Sequence, residues 1–258
     1  MSVQPTGETA AHSGKYTTTV LLFVIAIVCS TVALTIFNAA PHAVFLSIIL
    51  IWPAFASGAS AVKDISSYGI GTGVASIGML GAGVGTISAF SSIFIDIPFS
   101  AFIGIIAAFV IGFVTGLCAN KIIKMKIPRM ELKIAIMSAS AAMITTLFVS
   151  IFSNNIDMLL TDVYIVLPLI FIATALAIIH PYNGSMGAGE NQPRTLKLAF
   201  AEASLTTLLF GLISLAYTDT ITSIEILLVS GLGFVIFTTI FLRAINAEIY
   251  KLEWSGVV

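Results

Sequence analysis

Two carboxylates in this chain stand where a charge is costly. Asp64 follows Lys63 at the end of one apolar stretch, and Glu202 lies within another, LKLAFAEASLTTLLF. A lone carboxylate at mid-bilayer depth is strongly unfavourable and must find water, a partner or a proton. Each has two readings. Glu202, a little over one turn past Arg194 and Lys197, is either an interfacial carboxylate answering Lys197 or a group on an ion pathway. Asp64 is either half of an exposed ion pair with Lys63, which contributes little, or a guard at an ion entrance.

Between these acids lies the run Ser67–Gly85, SYGIGTGVASIGMLGAGVG. Thr72, Ser76, Thr86 and Ser88, with the carbonyls of an unwound turn, would offer hard oxygen ligands to a small cation. The plainer reading is close helix packing through Gly71, Gly73, Gly78, Gly81 and Gly85, where small residues let backbones approach. Both can hold together. The G-x-G spacing is not a dinucleotide fingerprint, which needs a preceding strand and a βαβ unit.

Other chemistry is not legible. Cys29 and Cys118 fall in apolar stretches far apart, and neither CxxC nor Cys/His metal spacing occurs, so both read as small buried hydrophobes. His12, His42 and His180 are scattered, with no carboxylate or cysteine at ligand spacing. No Ser/His/Asp set, paired-carboxylate site or phosphate loop is visible, so no bond chemistry and no metal site are expected of this chain alone.

The elements that must position these residues are membrane helices. Of 258 residues, 58% are hydrophobic and 9% charged, where a soluble domain carries about 25% charge. A helix needs about 20 apolar residues to cross the hydrocarbon. Eight stretches qualify: Thr17–Phe37, Val44–Val62, Ile70–Phe94, Pro98–Ala119, Ile134–Phe152, Val163–His180, Leu198–Tyr217 and Ile226–Leu242. They lack the period-2 alternation of barrel strands. Pro53 and Pro168 fall inside spans and are expected to kink them. Asp96 with Pro98, Asn154-Asn155, and Asp219 with Thr220 mark helix boundaries. The glycine-rich third stretch leaves one alternative open, six spans plus a re-entrant pair.

The gaps between spans alternate in charge. One set holds all eleven bases: Lys15, Lys63, Lys121, Lys124, Lys126, Arg129, Lys133, Arg194, Lys197, Arg243 and Lys251. The other holds only Asp96, Asp157, Asp162, Asp219 and Glu225. Positive charge in short loops stays cytoplasmic, so the expectation is an all-α polytopic bundle with both termini inside the cell. Its parts are a polar cytoplasmic tail at 1–16, one transmembrane domain at 17–242 and a cytoplasmic tail at 243–258, with no cleavable signal ahead of the first span. The net charge of −1 and the scattered bases give no footprint for nucleic acid. The run Lys121–Lys133, KIIKMKIPRMELK, reads as a topology determinant against anionic lipid headgroups.

The segment HPYNGSMGAGENQPRTLKLAFAEA, His180–Ala203, resembles a cytoplasmic loop of the C-type integral membrane subunit of tetrahydromethanopterin S-methyltransferase from methanogenic archaea. The glycine run, the length and the hydropathy are similar too, and the likeness covers the chain from about the second span onward. The resemblance implies membership of a complex in the cell membrane that moves methyl from methyl-tetrahydromethanopterin to coenzyme M through a cobamide and exports sodium. The cobamide and the methyl-transfer chemistry would sit on other subunits. This chain would join the D- and E-type membrane subunits, with Asp64, Glu202, Thr72 and Ser76 as candidates for the Na⁺ route. No catalytic residue carries over. A stand-alone secondary transporter and a purely structural scaffold stay open beside it.

Overall fold

The computed structural model describes residues 8–40, 43–66, 73–92, 100–152, 162–184 and 192–254. Among the described residues eight helices follow one another: α1 (Glu8–Ala39), α2 (Val44–Ser66), α3 (Gly73–Ser92), α4 (Ser100–Lys121), α5 (Met130–Phe152), α6 (Val163–Gly184), α7 (Gln192–Tyr217) and α8 (Thr220–Trp254). Each is long and apolar enough to span a bilayer, so the protein is a multi-pass membrane protein. The six-span alternative does not hold, because α3 runs as one helix from Gly73 to Ser92. Helices are required here because lipid offers no partner to an open backbone.

Where helix ends differ from expectation, the reason is local. The first and last helices extend well past the apolar stretches, to Glu8 and Trp254; the extension of the last, with Arg243, Ala244, Ala247, Glu248 and Lys251, is rich in good helix formers. Asp219 caps α8: its Oδ1 accepts the Thr222 N–H at 2.9 Å and its Oδ2 the Thr222 hydroxyl at 2.7 Å. Those bonds hold the Asp219 carboxyl below the usual carboxylate range. Helix α5 begins at Met130, a turn before the expected Ile134, and this places Lys133 inside the bundle. The boundary residues Asp96, Pro98, Asn154 and Asn155 lie outside the described residues.

The α4–α5 connection is pinned by one side chain. Asn120 donates to the Ile127 carbonyl at 2.8 Å and accepts the Ile127 N–H at 3.0 Å, while Ile127 itself is buried. Lys124, Lys126 and Arg129 adopt left-handed φ of 60°, 55° and 56°, an unfavourable conformation for residues other than glycine that persists only where the surroundings impose it.

Helices α2 and α5 form the centre. α5 packs on α4, α3 and α2; α2 packs on α1, α7 and α6; α8 lies along α7. Among lipid tails, association relies on van der Waals packing and hydrogen bonds rather than on hydrophobic burial. Glycine supplies that closeness at α3–α5, where a Cβ on Gly85 would come within 2.7 Å of the Ala141 Cβ and 2.9 Å of the Ala142 backbone nitrogen. At one end Phe148, Phe152, Phe210 and Tyr217 make a continuous aromatic cluster. The outer faces of α1, α4 and α8 are apolar and exposed, with Val28, Ile106, Leu228 and Val235 as examples.

Candidate functional site

The structure brings three charged side chains into the interior at the basic end of the bundle. Lys63 and Asp64 occupy the last turn of α2, and Lys133 the first turn of α5. They are 3%, 4% and 2% exposed, so Asp64 is not part of a solvated surface pair with Lys63. Lys63 Nζ donates to Thr195 Oγ1 of α7 at 2.8 Å. Lys133 Nζ donates to the Asp64 carbonyl oxygen at 3.3 Å, and the Asp64 carboxylate attracts the same ammonium. Ser66 donates to the Lys63 carbonyl at 2.6 Å, and the Thr19 and Ser60 hydroxyls meet at 2.7 Å one turn away.

This arrangement follows from the helix ends. The last carbonyls of α2 have no partner within their own helix, and they carry the negative end of its dipole. An ammonium reaching in from α5 satisfies one of them. Two cations against one carboxylate would leave a net buried charge, and the α2 terminus offsets part of it. Burial of such groups costs several kcal/mol per ion unless geometry and hydrogen bonds compensate.

Glu202 is placed differently from the expectation that it answers Lys197. Its partner is His180, on α6, through His180 Nδ1 and Glu202 Oε1. Lys197 is five residues away on the same helix, about 140° round the axis at 3.6 residues per turn, and so faces another side. Arg194 pairs instead with Glu248 of α8. The His180–Glu202 pair bridges 22 residues of sequence across the α6–α7 hairpin, and spacing alone gives no sign of it. These two ion pairs lie at the same end of the bundle as Lys63, Asp64 and Lys133.

Of the oxygen ligands expected from the glycine run, Thr72 lies outside the described residues with Gly71, while Ser76 is exposed and Ser88 half-buried on α3. Thr86 is buried and meets Thr145 at 3.4 Å. Of the glycines, Gly78 packs against Ile179, a Cβ on Gly81 would lie 3.0 Å from the Met137 Cβ, and Gly85 abuts α5 directly, while a Cβ on Gly73 would meet nothing within 4 Å. Among the described residues no three His, Cys, Asp or Glu side chains converge as a metal site would require.

Two features escape the sequence reading. Helix α4 turns Gly104, Ala108, Gly112 and Gly116 inward, a strict four-residue period that brings it against Ser92, Ser138 and Glu131. Helix α5 carries buried hydroxyls at Ser138, Ser140, Thr145 and Thr146. Serine and threonine weigh little on a hydropathy scale, so a hydroxyl-bearing core helix looks like any other span.

A family model for the C-type subunit of tetrahydromethanopterin S-methyltransferase matches residues 1–258. The chain is 33% identical over 225 residues to the C-type subunit of tetrahydromethanopterin S-methyltransferase from Methanothermobacter thermautotrophicus, covering 81% of this chain and 84% of that protein. The same subunits of Methanothermobacter marburgensis and Methanosarcina mazei are 32% and 33% identical, each over 78% of this chain and 77% of theirs.

Proposed function

Because the chain belongs to the family of C-type subunits of tetrahydromethanopterin S-methyltransferase, we propose that it is a non-catalytic membrane component of a complex coupling methyl transfer to Na⁺ export. The methyl group would pass from methyl-tetrahydromethanopterin to coenzyme M through a cobamide held by a partner. This chain would sit in the cell membrane beside D- and E-type subunits, with both termini cytoplasmic, and would contribute to the Na⁺ route.

The observation carrying this reading is the interior cluster Lys63–Asp64–Lys133. A chain with so few charges that buries three of them together, beside Thr195, spends stability on something other than folding. In the closed arrangement the Lys133 ammonium occupies the cation's place near Asp64. Na⁺ passing here would have to exchange with it, so movement of α5 against α2 would open and shut the route. Motion in the cobamide-carrying partner would supply the trigger. Membership of a family of subunits favours a subunit among subunits over a stand-alone transporter.

The test is Na⁺-dependent methyl transfer in the assembled complex carrying Asp64→Asn or Glu202→Gln. The expected result is a weakened response to Na⁺. Wild-type Na⁺ stimulation in both variants removes these carboxylates from the pathway and leaves the scaffold reading.

A further inference from the structure

Helix α4 turns one row of its surface away from the bundle. Ile111, Thr115, Cys118 and Ile122 recur at helical spacing, and all four are exposed. Thr115 donates to the Ile111 carbonyl at 2.8 Å, so the row offers lipid no unbonded hydroxyl proton. The Ile122 and Ile123 N–H groups donate to the Cys118 carbonyl at 2.9 and 3.2 Å, which carries the helical winding just past Lys121. Ile122 therefore stands in line with Ile111, eleven residues and about three turns away.

This row ends in a positive turn. Ile122 and Ile123 are 74% and 70% exposed, and Lys121 and Lys124 bracket them, with Lys126 next. The three lysines are exposed, and none is in an ion pair among the described residues. Glu131 is the one acid between Lys121 and Lys133, and it faces Asn120 at 3.5 Å. The adjoining α2–α3 connection, residues 67–72, carries no acid. At the end of α4 the Cys118 and Ala119 carbonyls accept N–H groups of the turn itself, and the positive end of the α5 dipole opens its far side.

Depth identifies what meets these bases. Helix α4 has 22 residues, about 33 Å at 1.5 Å per residue, which matches the hydrocarbon thickness of about 30 Å. Lys121, Lys124 and Lys126 thus stand at the level of lipid phosphates, with Ile122 and Ile123 at the boundary. The two hydrogen bonds between Asn120 and Ile127 hold the turn against the bundle there.

Below the turn, on the side of α4 that carries Ile111, a groove of about 360 Å³ lies between α3 and α4. Met79, Leu80, Val84, Ile87 and Ile111 wall it, with Ser88 adding a hydroxyl. Ile111 is ten residues before Lys121, about 15 Å deeper, a depth that the chain of a lipid in this leaflet reaches. A carbon-walled groove holds no ordered water, and a helix about 10 Å across is too wide to enter it. The volume accommodates about a dozen methylene groups at about the volume of a water each.

We propose that the α3–α4 groove and the basic turn together bind one anionic membrane lipid, its phosphate on Lys121, Lys124 and Lys126 and a hydrocarbon chain in the groove. The site goes beyond the Na⁺ reading and does not depend on it.

Lipids brominated at mid-chain are suitable probes because bromine marks the chain. The intact complex is placed in phosphatidylcholine nanodiscs containing either brominated phosphatidylglycerol or brominated phosphatidylcholine, and cryo-electron microscopy maps are compared. The expected result is a bromine peak in the groove that is strong from phosphatidylglycerol and weak from phosphatidylcholine. Lys124→Gln lowers that preference about fivefold, and Lys121→Gln/Lys124→Gln/Lys126→Gln abolishes it. Leu80→Trp, which fills the groove and leaves the bases in place, lowers the bromine peak. If the triple variant fails to assemble, the three single variants serve instead, each with a reduced preference. Equal peaks from the two lipids in the wild type, a preference unchanged in the lysine variants, or a segment of another subunit in the groove overturns the proposal. No readout here involves Na⁺, so the lipid site and the ion pathway fail separately.

Discussion

Gly85→Ala measures how much of this bundle depends on close approach. The added Cβ would lie 2.7 Å from the Ala141 Cβ and 2.9 Å from the Ala142 backbone nitrogen. Those atoms belong to a buried helix and cannot swing aside. The Ser138 carbonyl oxygen lies nearer still, so α3 must retreat from α5 by about 1 Å to restore ordinary contact. A gap of that size forfeits about half of each contact's well depth, and a seam of about fifty heavy-atom contacts at about 0.15 kcal/mol apiece then loses about 4 kcal/mol. Alanine's better helix propensity returns about 1 kcal/mol. The net destabilisation is about 3 kcal/mol, which in a chain of this size lowers Tm by about 6–12 °C. Gly73→Ala is the internal control, since its Cβ meets nothing within 4 Å and no contact is lost. The assay is thermal loss of helical circular dichroism of the detergent-solubilised chain. Equal Tm for the two variants would refute the packing argument.

Lys133→Met removes the donor to the Asp64 carbonyl oxygen at the end of α2 and is expected to destabilise the protein by about 1–3 kcal/mol, read as the yield of monodisperse protein. Asn120→Ala unpins the strained α4–α5 connection, and the expected outcome is faster amide exchange at Ile127 with the helices unchanged. At Asp219 the folded carboxyl has a lowered pKa, so its stabilising contribution is complete above the unfolded value of about 3.9. That contribution fades as pH falls through the folded value. Asp219→Ala should therefore cost about 1 kcal/mol at neutral pH and narrow its difference from wild type in acid, measured as Tm against pH.

The spans are legible because a bilayer imposes a length, and α2, α4 and α6 begin or end within a few residues of their apolar stretches. Their interior is less legible. Lys133 reads as a loop base until α5 is seen to start at Met130, because the onset of a helix depends on the Ile127–Met130 turn rather than on hydropathy. Glu202 is visible as an intramembrane acid, but its partner His180 is not, since pairing across a hairpin depends on helix phase. The glycine run marks packing at Gly78, Gly81 and Gly85, where α3 lies against α5 and α6. It does not mark Gly112 and Gly116 on α4, whose four-residue period holds an equally tight seam. Hydroxyls such as Thr146 are silent in sequence, because serine and threonine weigh little in the hydropathy of a span.

The number of Na⁺ ions moved per methyl group transferred, in vesicles bearing the complex with Asp64→Asn, bears most directly on the role assigned to this chain. A ratio well below that of the wild type is predicted, with methyl transfer itself continuing on the partner subunits. An unchanged ratio would mean that the ion does not pass Asp64.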